Sequence, residues 1–302
     1  MKKPILASLS FLICIAIIWP LNQRPQWEDT FGQFPKWDVP YVPTPYEVVE
    51  AMLEMAGVKE SDTLYDLGCG DGRIVITAAS RFGTKGVGID IDPERIQECL
   101  TNAAESGVED RVTFLNQNLF ETDFSAASVV TLYLLHSVNL RLRPKLLTDL
   151  NPGTRVVSHD FSMGSWKPDR KIDLDVDYRV HEVYFWTIPA NASGRWRVSR
   201  PSQLKAVPFT LTIKQQFQEV QGQAELRQSI VPIQEAELIA DRLRFSFITD
   251  EGQTCSFQGM LNGHHMQGRV TIRSESGEKS FPWEAERDPK TKMPIDPGDE
   301  NY

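Results

Sequence analysis

Three glycines, Gly68, Gly70 and Gly72, stand at alternate positions behind the apolar run 63–67, with Asp66 before them and Asp71 among them. Such spacing lets a backbone approach a ligand closely, and a helix start behind it offers unpaired N–H groups. A phosphate is the first ligand to test. A dinucleotide loop requires G-x-G-x-x-G, and Arg73 fills the slot of the third glycine. Asp71 in the first helical turn would repel a pyrophosphate. No Gly-Lys-Ser/Thr closes the loop, which excludes a nucleotide P-loop. What remains is a nucleoside with a cationic, amino-acid-like end. S-adenosylmethionine meets that requirement, because its sulfonium and ammonium tolerate Asp66 and Asp71. An acid ending the second strand should then accept from the ribose hydroxyls. "GVGIDIDP" supplies Asp90, with Ile91 beside it, about twenty residues after the loop.

The elements around these residues alternate. A helix is expected from Pro45, with Thr44 as its N-cap and Val48, Val49, Met52 and Leu53 at helical spacing. Strands are expected over 63–66, 85–90, 111–115, 129–134 and 154–159, and helices over 73–81, 93–106 and 140–150. Strands separated by helices predict an α/β fold, a doubly wound, mostly parallel sheet with helices on both faces. The β-prone stretch 178–188 is expected as an edge strand. After Pro189 the pattern changes to alternating apolar and polar residues with glycine-bearing turns, predicting a small C-terminal antiparallel β-domain. The expected division is a hydrophobic segment 1–22, a Pro/Trp-rich lead-in 23–44, a cofactor domain 45–190, a linker 191–203, the β-domain 204–288 and a tail 289–302.

With loop, acid and βαβ context together, the sequence resembles the class I S-adenosylmethionine-dependent methyltransferases. "DLGCGDG" matches that family's first motif and Asp90 its ribose-binding acid. The resemblance implies a Rossmann-like fold over about residues 40–188 and assigns cofactor contacts to Asp66, Gly68, Cys69, Gly70, Asp71, Gly72, Asp90 and Ile91. Asn118 and Leu119 fall where the family approaches the adenine, Asn keeping an acceptor but losing the usual charge. "VPYVPTPYEVVEAML", "DLGCGDGRIV" and "LNPGTRVVSHDF", in this order, resemble more narrowly the small protein-lysine methyltransferases of the ATP-synthase c-subunit and adenine-nucleotide-translocase type. That likeness implies a protein acceptor at a membrane.

In open α/β sheets the acceptor enters at the carboxyl ends of the strands. Tyr133 and His136, after the fourth strand, are the polar candidates to orient an amine or take its proton. His159 and Asp160, after the fifth, are more distant candidates. Thr44 is a candidate cover for the methionine end of the cofactor, with Tyr41 lining the acceptor path. No (Asp/Asn)-Pro-Pro-aromatic motif follows the fourth strand, which argues against exocyclic base amines as acceptors.

Composition narrows the partners. The net charge is −9 and no Lys/Arg-rich block is present, so no nucleic-acid footprint is visible. The four cysteines are scattered and define neither a zinc site nor a disulfide framework, and no metal is expected. His264 and His265 read as a hairpin turn. Lys2 and Lys3 precede an apolar run over residues 5–19, which rises about 22 Å as a helix, short of a bilayer core of roughly 30 Å. No A-x-A site follows, favouring an uncleaved membrane anchor over a cleaved signal. The basic start predicts a cytoplasmic N-terminus and an exported domain, in tension with a cofactor made in the cytosol. Three readings stay open: a membrane-associated protein-lysine methyltransferase, a methyltransferase for a small or lipid-like molecule, and a non-catalytic cofactor fold whose β-domain binds a partner.

Overall fold

The computed structural model describes residues 39–199, 209–275 and 277–296. The apolar run 5–19 lies outside them. Among the described residues no helix is long and apolar enough to cross a membrane.

The chain opens with α1 (Tyr46–Ala56), β1 (Thr63–Leu67), α2 (Arg73–Phe82), β2 (Lys85–Asp90), α3 (Pro93–Glu105), β3 (Val112–Asn116), β4 (Val129–Leu132), α4 (His136–Asp149) and β5 (Arg155–His159). β6 (Arg170–Val176) and β7 (Arg179–Thr187) complete a seven-stranded sheet of order β3-β2-β1-β4-β5-β7-β6. The first five strands are parallel, and β7 runs antiparallel to β5 and β6. Because side chains alternate along a strand, Val129 and Val157 face α1, where Val48, Val49, Met52 and Leu53 meet them. Val130 and Val156 point the other way, onto Val138, Leu142 and Leu146 of α4. A parallel sheet covered on both faces follows from this two-sided apolar content.

Two expectations change here. The strand 178–188 is not at the edge: β7 sits between β5 and β6. The edge is β6, "RKIDLDV", whose charged residues hid it; the left-handed pair Asp177–Tyr178 turns it back onto β7. α4 also begins a turn earlier than expected, at His136.

The second region is large rather than small. It comprises β8 (Gly194–Ser199), β9 (Phe209–Gln216), β10 (Glu219–Glu225), β11 (Ile230–Pro232), β12 (Gln234–Ile239), β13 (Arg242–Ile248), β14 (Thr254–Asn262), β15 (His265–Ser274) and β16 (Gly277–Arg287). They form one nine-stranded antiparallel sheet of order β11-β10-β9-β8-β16-β15-β14-β13-β12. The two edge strands are neighbours in sequence, joined at Ile233, whose N–H donates to the Gly222 carbonyl of β10. The sheet therefore curls into a near-barrel. Its interior is filled with aromatic rings: Phe245 stacks on Phe257 at 4.8 Å, and Trp283 meets Phe257 edge-on at 5.3 Å. The stretch read as a linker holds β8, a central strand whose alternating Trp196 and Val198 enter this core. His264 and His265 form the β14–β15 hairpin as expected.

The two regions pack together. Phe217, after β9, stacks on Trp166 at 5.9 Å and joins the α4-side core of the first sheet. The Arg143 guanidinium lies 5.1 Å over its ring and pairs with Asp296 from the far end of the chain.

Candidate active site

The glycine loop joins β1 to α2 and is bent by three left-handed residues, Gly68 (φ 84°), Gly70 (φ 54°) and Gly72 (φ 81°). A Cβ at Gly68 would fall 2.7 Å from Leu134 Cδ2, and one at Gly70 would fall 2.6 Å from Tyr41 Cε2. Conformation and crowding both demand glycine at these positions. The Gly70 N–H donates to Asp90 Oδ2 at 2.9 Å, and the Asp92 N–H donates to Asp90 Oδ1 at 2.9 Å. The end of β2 is thereby tied to the loop, and burial raises the Asp90 carboxyl above its ordinary range against these hydrogen bonds. Ile91 beside it is 43% exposed, an apolar surface ready to pack on a flat ring.

Asp66, next to last in β1, is buried and accepts from the Thr131 hydroxyl at 2.8 Å. Burial pushes its carboxyl up to about 8, the Thr131 hydrogen bond works against this, and the charges of Asp90 and Asp71 add to it. Those are the groups that act on it among the described residues, and none is a cation. The sequence expectation for Asp71 changes. Its two oxygens are gripped by Arg73 Nε and Nη2 at 2.6–3.1 Å. Its charge is spent on Arg73, because a residue two positions on in the first helical turn folds straight back to it. Arg73 Nη1 also donates to the Thr44 carbonyl at 2.8 Å, fastening the lead-in across the loop.

Other expected contacts are qualified. The Cys69 side chain turns inward, its Sγ 3.8 Å from Cys99 Sγ, leaving only backbone to face a ligand. Asn118 Oδ1 accepts from the Phe120 N–H at 3.1 Å, so its acceptor closes a local turn, with half-buried Leu119 inside that turn. Thr44 is not an N-cap: α1 starts after Pro45 with no side-chain cap, and the Thr44 hydroxyl lies 3.2 Å from His159 Nδ1.

That bond leads to a second cluster at the carboxyl ends of β4 and β5. The Tyr133 ring packs on the His159 ring at 3.8 Å. His159 Nε2 lies 2.8 Å from His181 Nδ1 of β7, and burial holds the His159 imidazole well below its ordinary value, so it is neutral at pH 7. Asp160 adopts the left-handed conformation (φ 60°), uncommon for a residue with a side chain. Its Oδ1 accepts from the Glu182 N–H at 3.0 Å, and its Oδ2 pairs with Arg179. Burial raises the Tyr133 hydroxyl, with the Asp160 charge adding to the effect and Arg179 opposing it. The three candidate ligand atoms of His159, Asp160 and His181 lie within 4.8 Å of one another, each already facing a protein partner. His136 is exposed at the first residue of α4, and no hydrogen bond or ion pair among the described residues joins it to this cluster. Of the two residues expected to meet the acceptor, the fold brings Tyr133 into the cluster and leaves His136 outside it. His181 and Arg179 were not foreseen. They arrive on a hairpin strand, and nothing in "YRVHEVYF" marks them.

The crevice fits S-adenosylmethionine on two observations: a side-chain-free loop tied to the acid at the end of β2, and a buried carboxyl behind it that a cation would stabilise. The profile of the family described as "ANTKMT methyltransferase domain" matches residues 66–170. A "Protein-lysine N-methyltransferase" of Saccharolobus islandicus is 51% identical over 151 residues, covering 50% of this chain and 94% of that protein. The human lysine N-methyltransferase of the ATP-synthase c-subunit is 30% identical over 139 residues, 46% of this chain and 59% of that protein. A solved structure of an RNA methyltransferase from Salinibacter ruber, in complex with S-adenosyl-L-homocysteine, is 54% identical and covers 54% of this chain and 99% of that one, with a TM-score of 0.48.

Fold and site define a class I S-adenosylmethionine-dependent methyltransferase. Within that class the chain belongs to the protein-lysine N-methyltransferases.

Proposed function

We propose that this enzyme N-methylates lysine side chains of a protein, and that the acceptor is membrane-associated. The observation that carries the acceptor class is the 51% identity to a protein-lysine methyltransferase across 94% of that enzyme. When bound, S-adenosylmethionine supplies a methyl group on a sulfonium, already activated toward a nucleophile.

The chain's residues then have positioning roles. Asp90 accepts from the ribose hydroxyls, Gly68–Gly72 let the backbone lie against the cofactor, and Asp66 balances its positive charge. Ile91 and the Asn118–Leu119 turn flank the adenine, and Thr44, held by Arg73 and His159, covers the methionine end. Tyr133 faces the incoming amine. The lysine must attack as its neutral amine, against an ordinary pKa of about 10.4, and a desolvating wall such as the Tyr133 ring favours loss of its proton before transfer.

The apolar run 5–19 supports attachment to a membrane, where such an acceptor resides. Label from methyl-tritiated S-adenosylmethionine should appear as methyl-lysine in hydrolysed protein of the membrane fraction. Label recovered only in RNA or in extracted lipid would overturn the lysine reading. Alkaline carbonate washing tests attachment: the full chain should stay with the membrane, and a variant lacking residues 1–22 should not.

A further inference from the structure

Among the described residues, the Asp160–Arg179 ion pair differs from Arg143–Asp296 and Arg155–Asp62 in how unevenly its two partners are exposed. Arg143–Asp296 has both side chains buried (1% and 8% exposed), and the Arg155 side chain, paired with Asp62, is 22% exposed. At Asp160 the carboxylate is 9% exposed, whereas the Arg179 side chain is 57% exposed. Arg179 reaches in from solvent at the first position of β7, just after the left-handed turn Asp177–Tyr178. The carboxylate is fixed from behind. The Asp160 N–H donates to the Glu182 carbonyl at 2.7 Å, and the Phe161 carbonyl next to it is held by Asn139 Nδ2 at 3.0 Å and the Ser158 hydroxyl at 2.7 Å. A nearly buried carboxylate requires a cationic partner. One whose partner is mostly solvated can exchange it for another cation without losing its charge compensation.

We propose that Asp160 is the residue that receives the ammonium of the target lysine, and that Arg179 holds its place until the lysine displaces it. The site lies beside Tyr133 at the carboxyl ends of β4 and β5, and the Thr44–His159 contact joins it to the glycine loop. Exchange of one cation for another leaves the local charge unchanged, so His159 stays neutral behind the carboxylate. An uncharged acceptor would have to strip Arg179 away without compensation, and the arrangement therefore discriminates for amines that arrive protonated. Asp160 and Arg179 are positioning residues in this scheme: the bound ammonium releases one proton to solvent, and its neutral amine then attacks the methyl carbon as the sulfur–carbon bond breaks. The inference rests on the lysine reading above.

The test is binding of Nα-acetyl-lysine methylamide, with Nα-acetyl-norleucine methylamide as its uncharged counterpart, to full-length protein saturated with S-adenosylhomocysteine, followed by NMR. The wild type should bind the lysine compound in preference to the norleucine one. Arg179→Gln should tighten lysine binding about threefold, because the competing guanidinium is gone. Asp160→Asn, in which Asn tolerates the left-handed backbone, should weaken it about tenfold. Affinity for S-adenosylhomocysteine should be unchanged in both, showing an intact fold. Lysine binding unchanged or weakened in Arg179→Gln, or retained in Asp160→Asn, would overturn the proposal. The methyl-label experiment separates the two ideas. Methyl-lysine formed with the same KM by Asp160→Asn and wild type defeats the proposal alone, and label found only outside lysine defeats the lysine reading.

Discussion

The parallel sheet and the near-barrel share one chain and put their polar groups in opposite places. In the parallel sheet, strands ending side by side leave a crevice at their carboxyl ends, and Asp66, Asp90, His159 and Asp160 collect there. In the near-barrel, alternation along strands such as β8 sends apolar residues inward and most charged residues outward, Arg287 being a buried exception. β8 reads Trp196 and Val198 in, Arg195 and Arg197 out, and the interior is closed by Phe245, Phe257 and Trp283. A parallel topology gathers functional groups at one end, whereas an antiparallel meander disperses them over its outer surface. The two regions meet through Phe217 and Arg143, so the near-barrel acts on the first sheet through packing.

The contrast breaks hardest at the joint. Phe217→Ala removes a ring that is 3% exposed and stacked on Trp166, and should cost about 3–5 kcal/mol. Calorimetry should show a lowered transition or its division into two; an unchanged thermogram would mean the regions stand independently. Next in size is Asp90→Ala, which should weaken S-adenosylmethionine about a hundredfold in a calorimetric titration, since at least two charge-assisted hydrogen bonds disappear. Because Asp90 also anchors Gly70, part of that loss should be recovered in Asp90→Asn.

Asp66 gives a pH signature. Its folded-state pKa of about 8 stands above the ordinary 3.8, so its neutral form stabilises the fold. That contribution is complete below the ordinary value and is lost as pH rises through about 8. Asp66→Asn should flatten the fall in Tm over this range. Cofactor affinity should rise with pH toward about 8 in the wild type, where binding a cation expels the Asp66 proton, and stay low and flat in Asp66→Asn. A wild-type affinity independent of pH would assign the cation's balance elsewhere. The smallest effect is expected at the near-barrel hairpin. His265→Ala, at an exposed position, should change stability by under about 0.5 kcal/mol and leave cofactor binding untouched.

Much of the first region was legible because its signals are local. Gly68, Gly70 and Gly72 mark a turn that other residues cannot make, and Pro93 behind Asp92 marks the start of α3, where the Asp92 side chain caps the Glu94 N–H. β6 was not legible, since "RKIDLDV" carries the charges of a loop and becomes a strand only by pairing with β7. β8 was missed for a related reason: six residues behind a glycosylation-like Asn191-Ala192-Ser193 look like a linker until β16 and β9 flank them. The size of the near-barrel depends on the closure at Ile233, a contact between strands at opposite edges of one sheet.

From sequence alone came the class of cofactor, through the spacing of glycines and the acid on the next strand, and the alternation that predicts a parallel sheet. Both rest on interactions within some thirty residues, a βαβ unit's length, which local chemistry can dictate. Only the tertiary structure decided the partners of the charges. It spent Asp71 on Arg73, moved Thr44 from a helix cap to His159, left His136 in solvent, and carried Arg179 and His181 to Asp160 on a returning strand. A side chain's type states which charge it can offer; which charge it meets depends on strands brought together across the fold.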